Sequence, residues 1–176
     1  AGNSIASGGN YNTVVGDEAG TAITTGDDNT ALGMEALKTA TTATTNTALG
    51  RATLKLTTTG ASNTAVGYAA LLSNTTASNN TAVGDQALLA NTTGTGNTAV
   101  GAIALDANTT SDDNTAVGYA ALTTNTTGAN NTAVGRSALA LTTTGSDNTA
   151  MGRIALDDNT TVSYTHLRAH ETDSYL

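Results

Sequence analysis

Apolar and polar residues recur along this chain on a period that neither a helix nor a heptad produces. An Asn-Thr pair stands at Asn12, Asn29, Asn46, Asn63, Asn80, Asn97, Asn114, Asn131 and Asn148, each 17 residues after the last. Counting from that Asn, position 4 is a mid-sized apolar residue in every copy, from Val15 to Met151, and position 5 is always Gly. Position 8 is Ala except for Thr53, position 9 is Leu except for Gly20, and positions 13 and 14 are Thr-Thr throughout. Position 15 is mostly Gly or Ala, whereas positions 6, 7, 10 and 11 vary freely. Strict columns with free ones between them mean that each residue meets its counterpart in the next copy, which is how a solenoid is built. A coiled coil is excluded because 17 residues do not match a 3.5-residue apolar period. Helix-pair repeats need about 33 residues or more.

Within a unit, Thr-Ala-Val-Gly predicts a short strand closed by a Gly that can take positive φ or let backbones approach. The following x-x-Ala-Leu-x-x predicts either a second strand or a single helical turn, and copies such as MEALKT and DQALLA favour the turn. Asn-Thr-Thr-Gly reads as a corner. The Asn column suits an amide ladder running from copy to copy. The few apolar side chains of one coil cannot offset the entropy of ordering it, so coils persist only when stacked.

The expected fold is therefore all-β, with short helical turns open at positions 6–11: a parallel β-solenoid or β-roll, one 17-residue repeat per coil, about nine coils. At about 4.8 Å per coil the rod is about 43 Å long. Residues 12–161 form the solenoid and residues 1–11 a partial preceding coil, with more coils expected beyond this fragment. Strand alternation allows two orientations. If position 4 points inward, Ala at position 3 and Gly at position 5 form a smooth outer ladder. The reverse exposes nine Val-like residues in a row, an apolar strip that needs cover. Both predict self-association, with a homotrimer expected.

Composition narrows the chemistry. Aromatics are 3%, there is no Trp, Phe, Cys or Pro, and Ala is the largest part of the 38% apolar fraction, so a thick core is excluded. A net charge of −8 with six scattered basic residues speaks against nucleic acid, whose phosphates need clustered Lys and Arg. Without Cys there are no disulfides or thiolate metal sites. No apolar run is long enough to span a bilayer, so no membrane insertion is expected of this fragment.

The repeat breaks after Thr161, and residues 162–176 hold both histidines. The stretch VSYTHLRAHET resembles the conceptual translation of a transposon-type sequencing-library adapter, with the final DSYL as index sequence. That resemblance implies a non-native, disordered tail on a reading frame assembled from environmental reads. His166 and His170, four apart like a metal pair, are then expected to carry no function.

The NTAVG motif resembles the NSVAIG-type repeats of YadA-like trimeric autotransporter adhesin heads, which form left-handed parallel β-rolls in homotrimers. The longer unit NTAVGYAALxxNTTGxx is also similar to repeat arrays in phage and large-virus tail fibres. Both resemblances cover Asn12 to Thr161, and the unit here is longer than the adhesin-head repeat. They imply a structural or adhesive segment of an extracellular fibre, on a cell surface or virion, without catalysis, facing a host surface or glycan.

Catalytic patterns are missing from the repeats. A Ser-His-acid triad needs a His, and none precedes the tail. The pairs Asp27-Asp28, Asp112-Asp113 and Asp157-Asp158 read as solvated turns rather than weak Ca²⁺ ligands or a glycosidase pair. Asn-Thr-Thr at Asn74, Asn91, Asn108, Asn125 and Asn159 matches the N-glycosylation sequon and reads as a by-product of the repeat. The Gly columns lack a P-loop Lys. No catalytic, cofactor-binding or metal-binding residue is assigned, and no cofactor is expected. The alternative function is ice binding by a β-solenoid through its Thr columns. Positions 13 and 14 are adjacent and point to opposite faces of a strand, so a Thr-x-Thr rank on one face is missing.

Overall fold

A computed structural model of the chain describes residues 9–168. It contains ten three-residue strands: β1 (Thr13–Val15), β2 (Thr30–Leu32), β3 (Thr47–Leu49), β4 (Thr64–Val66), β5 (Thr81–Val83), β6 (Thr98–Val100), β7 (Thr115–Val117), β8 (Thr132–Val134), β9 (Thr149–Met151) and β10 (His166–Arg168). They lie in sequence order in one parallel sheet. Register is 17 residues throughout, so Thr81 pairs with Thr98, Ala82 with Ala99 and Val83 with Val100. The chain is a parallel β-solenoid with one repeat per coil.

The Asn column is the amide ladder. Asn80 and Asn97 each donate a backbone N–H to the Oδ1 of the Asn one coil earlier, at 3.0 and 2.9 Å. Except at Asn114, which turns to Ser111 Oγ and the Asp112 carbonyl, each Nδ2 reaches across its own coil to the position-15 carbonyl, as Asn97 does to Ser111 at 2.8 Å. The asparagines from Asn29 to Asn148 are buried. They hold opposite walls of a narrow coil together, a task an apolar side chain cannot perform because the bridged groups are backbone N–H and C=O.

Positions 6–11 are neither a second strand nor a helix. Position 8 N–H bonds to the position 5 carbonyl and position 12 N–H to the position 9 carbonyl, as in Ala36 to Gly33 at 3.2 Å and Ala40 to Leu37 at 3.3 Å. Two successive β-turns result. Position 7 takes positive φ (Glu35 60°, Ile103 50°), the sign that a type II turn requires at its third residue. Positions 9 and 17 are left-handed too, as in Leu105 at 51° and Asp113 at 58°. At position 5 Gly is obligatory: Gly101 has φ 138°, and a Cβ there would overlap the Gly118 carbonyl oxygen.

Strand orientation is the reverse of an inward Val. Ala31, Ala48, Ala65, Ala82, Ala99, Ala116, Ala133 and Ala150 are fully buried, while position 4 faces out, with Val15 53% and Leu32 45% exposed. The core is accordingly thin: the two Ala columns and the Leu column from Leu37 to Leu139. Only small inward side chains fit between walls already spanned by Asn and filled by Leu. The first coil solves the same problem differently. Gly20 replaces Leu, and Val14 and Ile23 crowd into the vacated space, each about as near to a Gly20 Cβ as contact permits.

The expectation of a disordered tail from residue 162 is corrected as far as Arg168. β10 pairs with β9, aligning Leu167 with Ala150, and Thr165 N–H bonds to Asn148 Oδ1 at 3.0 Å. The β9 edge presents backbone groups that pair with any extended segment regardless of its side chains. His170 and residues 169–176 lie outside the described residues, as do residues 1–8. Asn10, in the partial preceding coil, accepts from Asp28 N–H at 3.1 Å.

Candidate assembly face and its flanks

Because Ala points inward, the outer surface of the sheet is a double file: Thr at position 2 and Val, Leu or Met at position 4. The files run unbroken from β1 to β9, with no charged residue in either. Rungs are about 4.8 Å apart and the two files about 6.6 Å apart along the strand. Among the described residues, the position-2 hydroxyls from Thr30 to Thr149 make no hydrogen bond within the chain, so they point a regular row of free donors and acceptors outward.

The other Thr columns divide the work. Position-13 hydroxyls from Thr24 to Thr143 are consumed by the scaffold, each donating to the position-13 carbonyl one coil on, as in Thr75 to Thr92 at 3.1 Å and Thr92 to Thr109 at 2.9 Å. Position 14, from Thr25 to Thr161, is exposed in every coil. A second amide ladder runs at position 12 through Asn74, Asn91, Asn108 and Asn125. These are four of the five Asn-Thr-Thr asparagines, all fully buried. Asn159, the fifth, is half-buried near the end of the rod.

Charge is arranged on the flanks. Lys38 bridges Glu18 at 2.7 Å and Glu35 at 3.1 Å, and Lys55 bridges Glu35 at 2.9 Å. Hydrogen bonds from Lys55 and then Lys38 hold the Glu35 carboxyl below the usual carboxylate range. Those to Glu18 and then Glu35 raise the Lys38 ammonium above its ordinary value. Immediately past the Gly column, position 6 carries Arg51, Tyr68, Tyr119, Arg136 and Arg153. Arg51 stacks over the Tyr68 ring at 5.6 Å and Arg136 over the Tyr119 ring at 5.8 Å. Reading this column merely as variable hid its content, although aligning the repeats gathers these residues without coordinates.

Of the acidic pairs, Asp27-Asp28 and Asp112-Asp113 lie in the turn before the next Asn and Asp157-Asp158 at positions 10 and 11 of its coil, while His166 sits exposed on β10 in the Thr column. The histidine pair cannot be placed, since His170 lies outside the described residues. No family model, curated protein or solved structure matches the chain.

Proposed function

We propose that this chain is a structural and adhesive segment of an extracellular surface fibre, on a cell or a virion, assembled as a homotrimer. The observation that carries the reading is the uncharged strand face. Positions 2 and 4 of β1 to β9 hold only Thr, Val, Leu and Met, although the molecule carries a net charge of −8. Charge kept off one face of an acidic rod marks the face where like-charged copies meet. A second copy has the same rung spacing, so ladder can meet ladder along the whole length, and apolar cover accumulates coil by coil. A host surface or glycan is the target of such a fibre.

Sedimentation equilibrium of the intact chain tests assembly. A trimeric mass is expected, and Val83→Lys with Val100→Lys is expected to yield a monomer that keeps its β-sheet circular dichroism. A monomeric wild type at micromolar concentration overturns the reading.

One observation favours a second reading, ice binding. The outward rank is Thr-x-Val rather than the Thr-x-Thr sought in the sequence, and it sets free hydroxyls and methyl groups side by side on a regular grid. Thermal hysteresis in the monomeric fraction, abolished by Thr98→Lys, supports this reading. Its absence removes it.

A further inference from the structure

We infer that the position-6 column is a binding strip for an anionic sugar chain, a uronic-acid glycan lying along the rod. The inference rests on the adhesive reading above and supplies its ligand class. Three of the six basic residues, Arg51, Arg136 and Arg153, fall in this one column together with Tyr68 and Tyr119. Nothing in the scaffold requires them: Ala102 and Met34 occupy the same position. The three Arg form no ion pair with any described residue, whereas Lys38 and Lys55 are committed to Glu18 and Glu35. Their guanidinium groups are therefore free to receive a planar, bidentate carboxylate.

The tyrosines add what a purely ionic site lacks. Tyr68 and Tyr119 are 49% and 52% exposed, and each has an Arg against the ring. That cation fixes the ring's orientation and leaves surface for the flat C–H face of a pyranose. Three coils separate Tyr68 from Tyr119, about 14 Å at the rung spacing, a span that a short oligosaccharide bridges. Asp85 follows Tyr68 in the column, with one carboxylate oxygen accepting from Gln86 Nε2 at 3.3 Å, and offers acceptors to sugar hydroxyls. The same Asp85, with Asp17 in the column and the overall acidity, opposes a nucleic-acid backbone, whose binding needs clustered Lys and Arg.

The test titrates labelled oligoalginate, a pure uronic-acid chain, into the intact protein, with neutral dextran and oligo-dT in parallel. Saturable binding of alginate well above both comparators is expected. Tyr68→Ala, Tyr119→Ala and Arg136→Ala are each expected to weaken it about fivefold, while Tyr11→Ala leaves it unchanged. Ala102 shows that Ala is accommodated in this column, so the variants fold. No alginate binding, equal binding of dextran or oligo-dT, or indifference to the Tyr substitutions overturns the inference. Sedimentation of the same samples separates the two claims: a trimer that ignores alginate sinks the glycan strip alone, and a monomer that binds it sinks only the assembly.

Discussion

Asn125 and Thr142 occupy the same column of neighbouring coils, and their mismatch leaves the buried Asn125 Oδ1 without a hydrogen bond. One and two coils earlier, the Nδ2 of Asn125 and of Asn108 supplies that bond to the preceding Asn, at 3.1 and 3.0 Å. Thr142 has no amide to offer and turns its hydroxyl to the Asn159 carbonyl at 2.7 Å. Thr142→Asn is expected to continue the ladder. Satisfying a buried acceptor stabilises by about 1–3 kcal/mol, partly offset by the lost hydroxyl bond. A net gain of about 1 kcal/mol raises the melting temperature by about 2–4 °C, and an unchanged or lower value contradicts the account.

The position-1 ladder makes the opposite demand. Asn97→Ala removes the acceptor of Asn114 N–H and Nδ2, at 3.0 and 3.2 Å, and the donor to Ser111 O. Several buried groups are orphaned together, so a loss of about 3 kcal/mol or more is expected in urea unfolding. Thr98→Ala, one residue along but outward, is expected to change stability by less than about 0.5 kcal/mol.

Gly101→Ala should be as damaging as the loss of Asn97. The residue sits at φ 138°, and the added Cβ meets the Gly118 backbone, which cannot yield without breaking the next coil. A loss of about 3 kcal/mol or more is expected, read as a lower urea midpoint; near-neutrality would mean that the coils are not this closely stacked.

The Glu18–Lys38–Glu35–Lys55 chain ties the first three coils to pH. Glu35 is held below the usual carboxylate range, so its contribution is present above that range and is lost as pH falls through the folded value. Lys38 is raised, so its contribution is full below the ordinary lysine value and is lost as pH climbs through the folded one. Melting curves of wild type and Glu35→Gln should therefore differ at neutral pH and converge in acid, and the gap should shrink with added salt. A gap that persists in acid would point to packing rather than charge.

The buried sequons give the last expectation. With Asn74, Asn91, Asn108 and Asn125 fully buried, folded protein offered to an oligosaccharyltransferase should take no glycan at these sites, whereas the unfolded chain should. Mass spectrometry after each incubation decides it.

The amino-acid sequence alone determined the 17-residue coil, the parallel in-register stack, the Asn ladder and the Gly corner. Each follows from a column meeting itself in the next coil, which is visible wherever a residue cannot vary. Tertiary structure decided which side of Thr-Ala-Val faces in. A three-residue strand alternates equally well either way, and the choice belongs to the width of the coil: left-handed corners at positions 7, 9 and 17 close it so tightly that only Ala fits beside Leu and the bridging Asn. The corners at positions 7 and 9 were illegible because Glu35, Leu105 and Ile103 carry no local preference for positive φ; contacts with neighbouring coils impose it. Tertiary structure likewise extended the stack to Arg168, because an open strand edge recruits backbone, and backbone has no sequence to read.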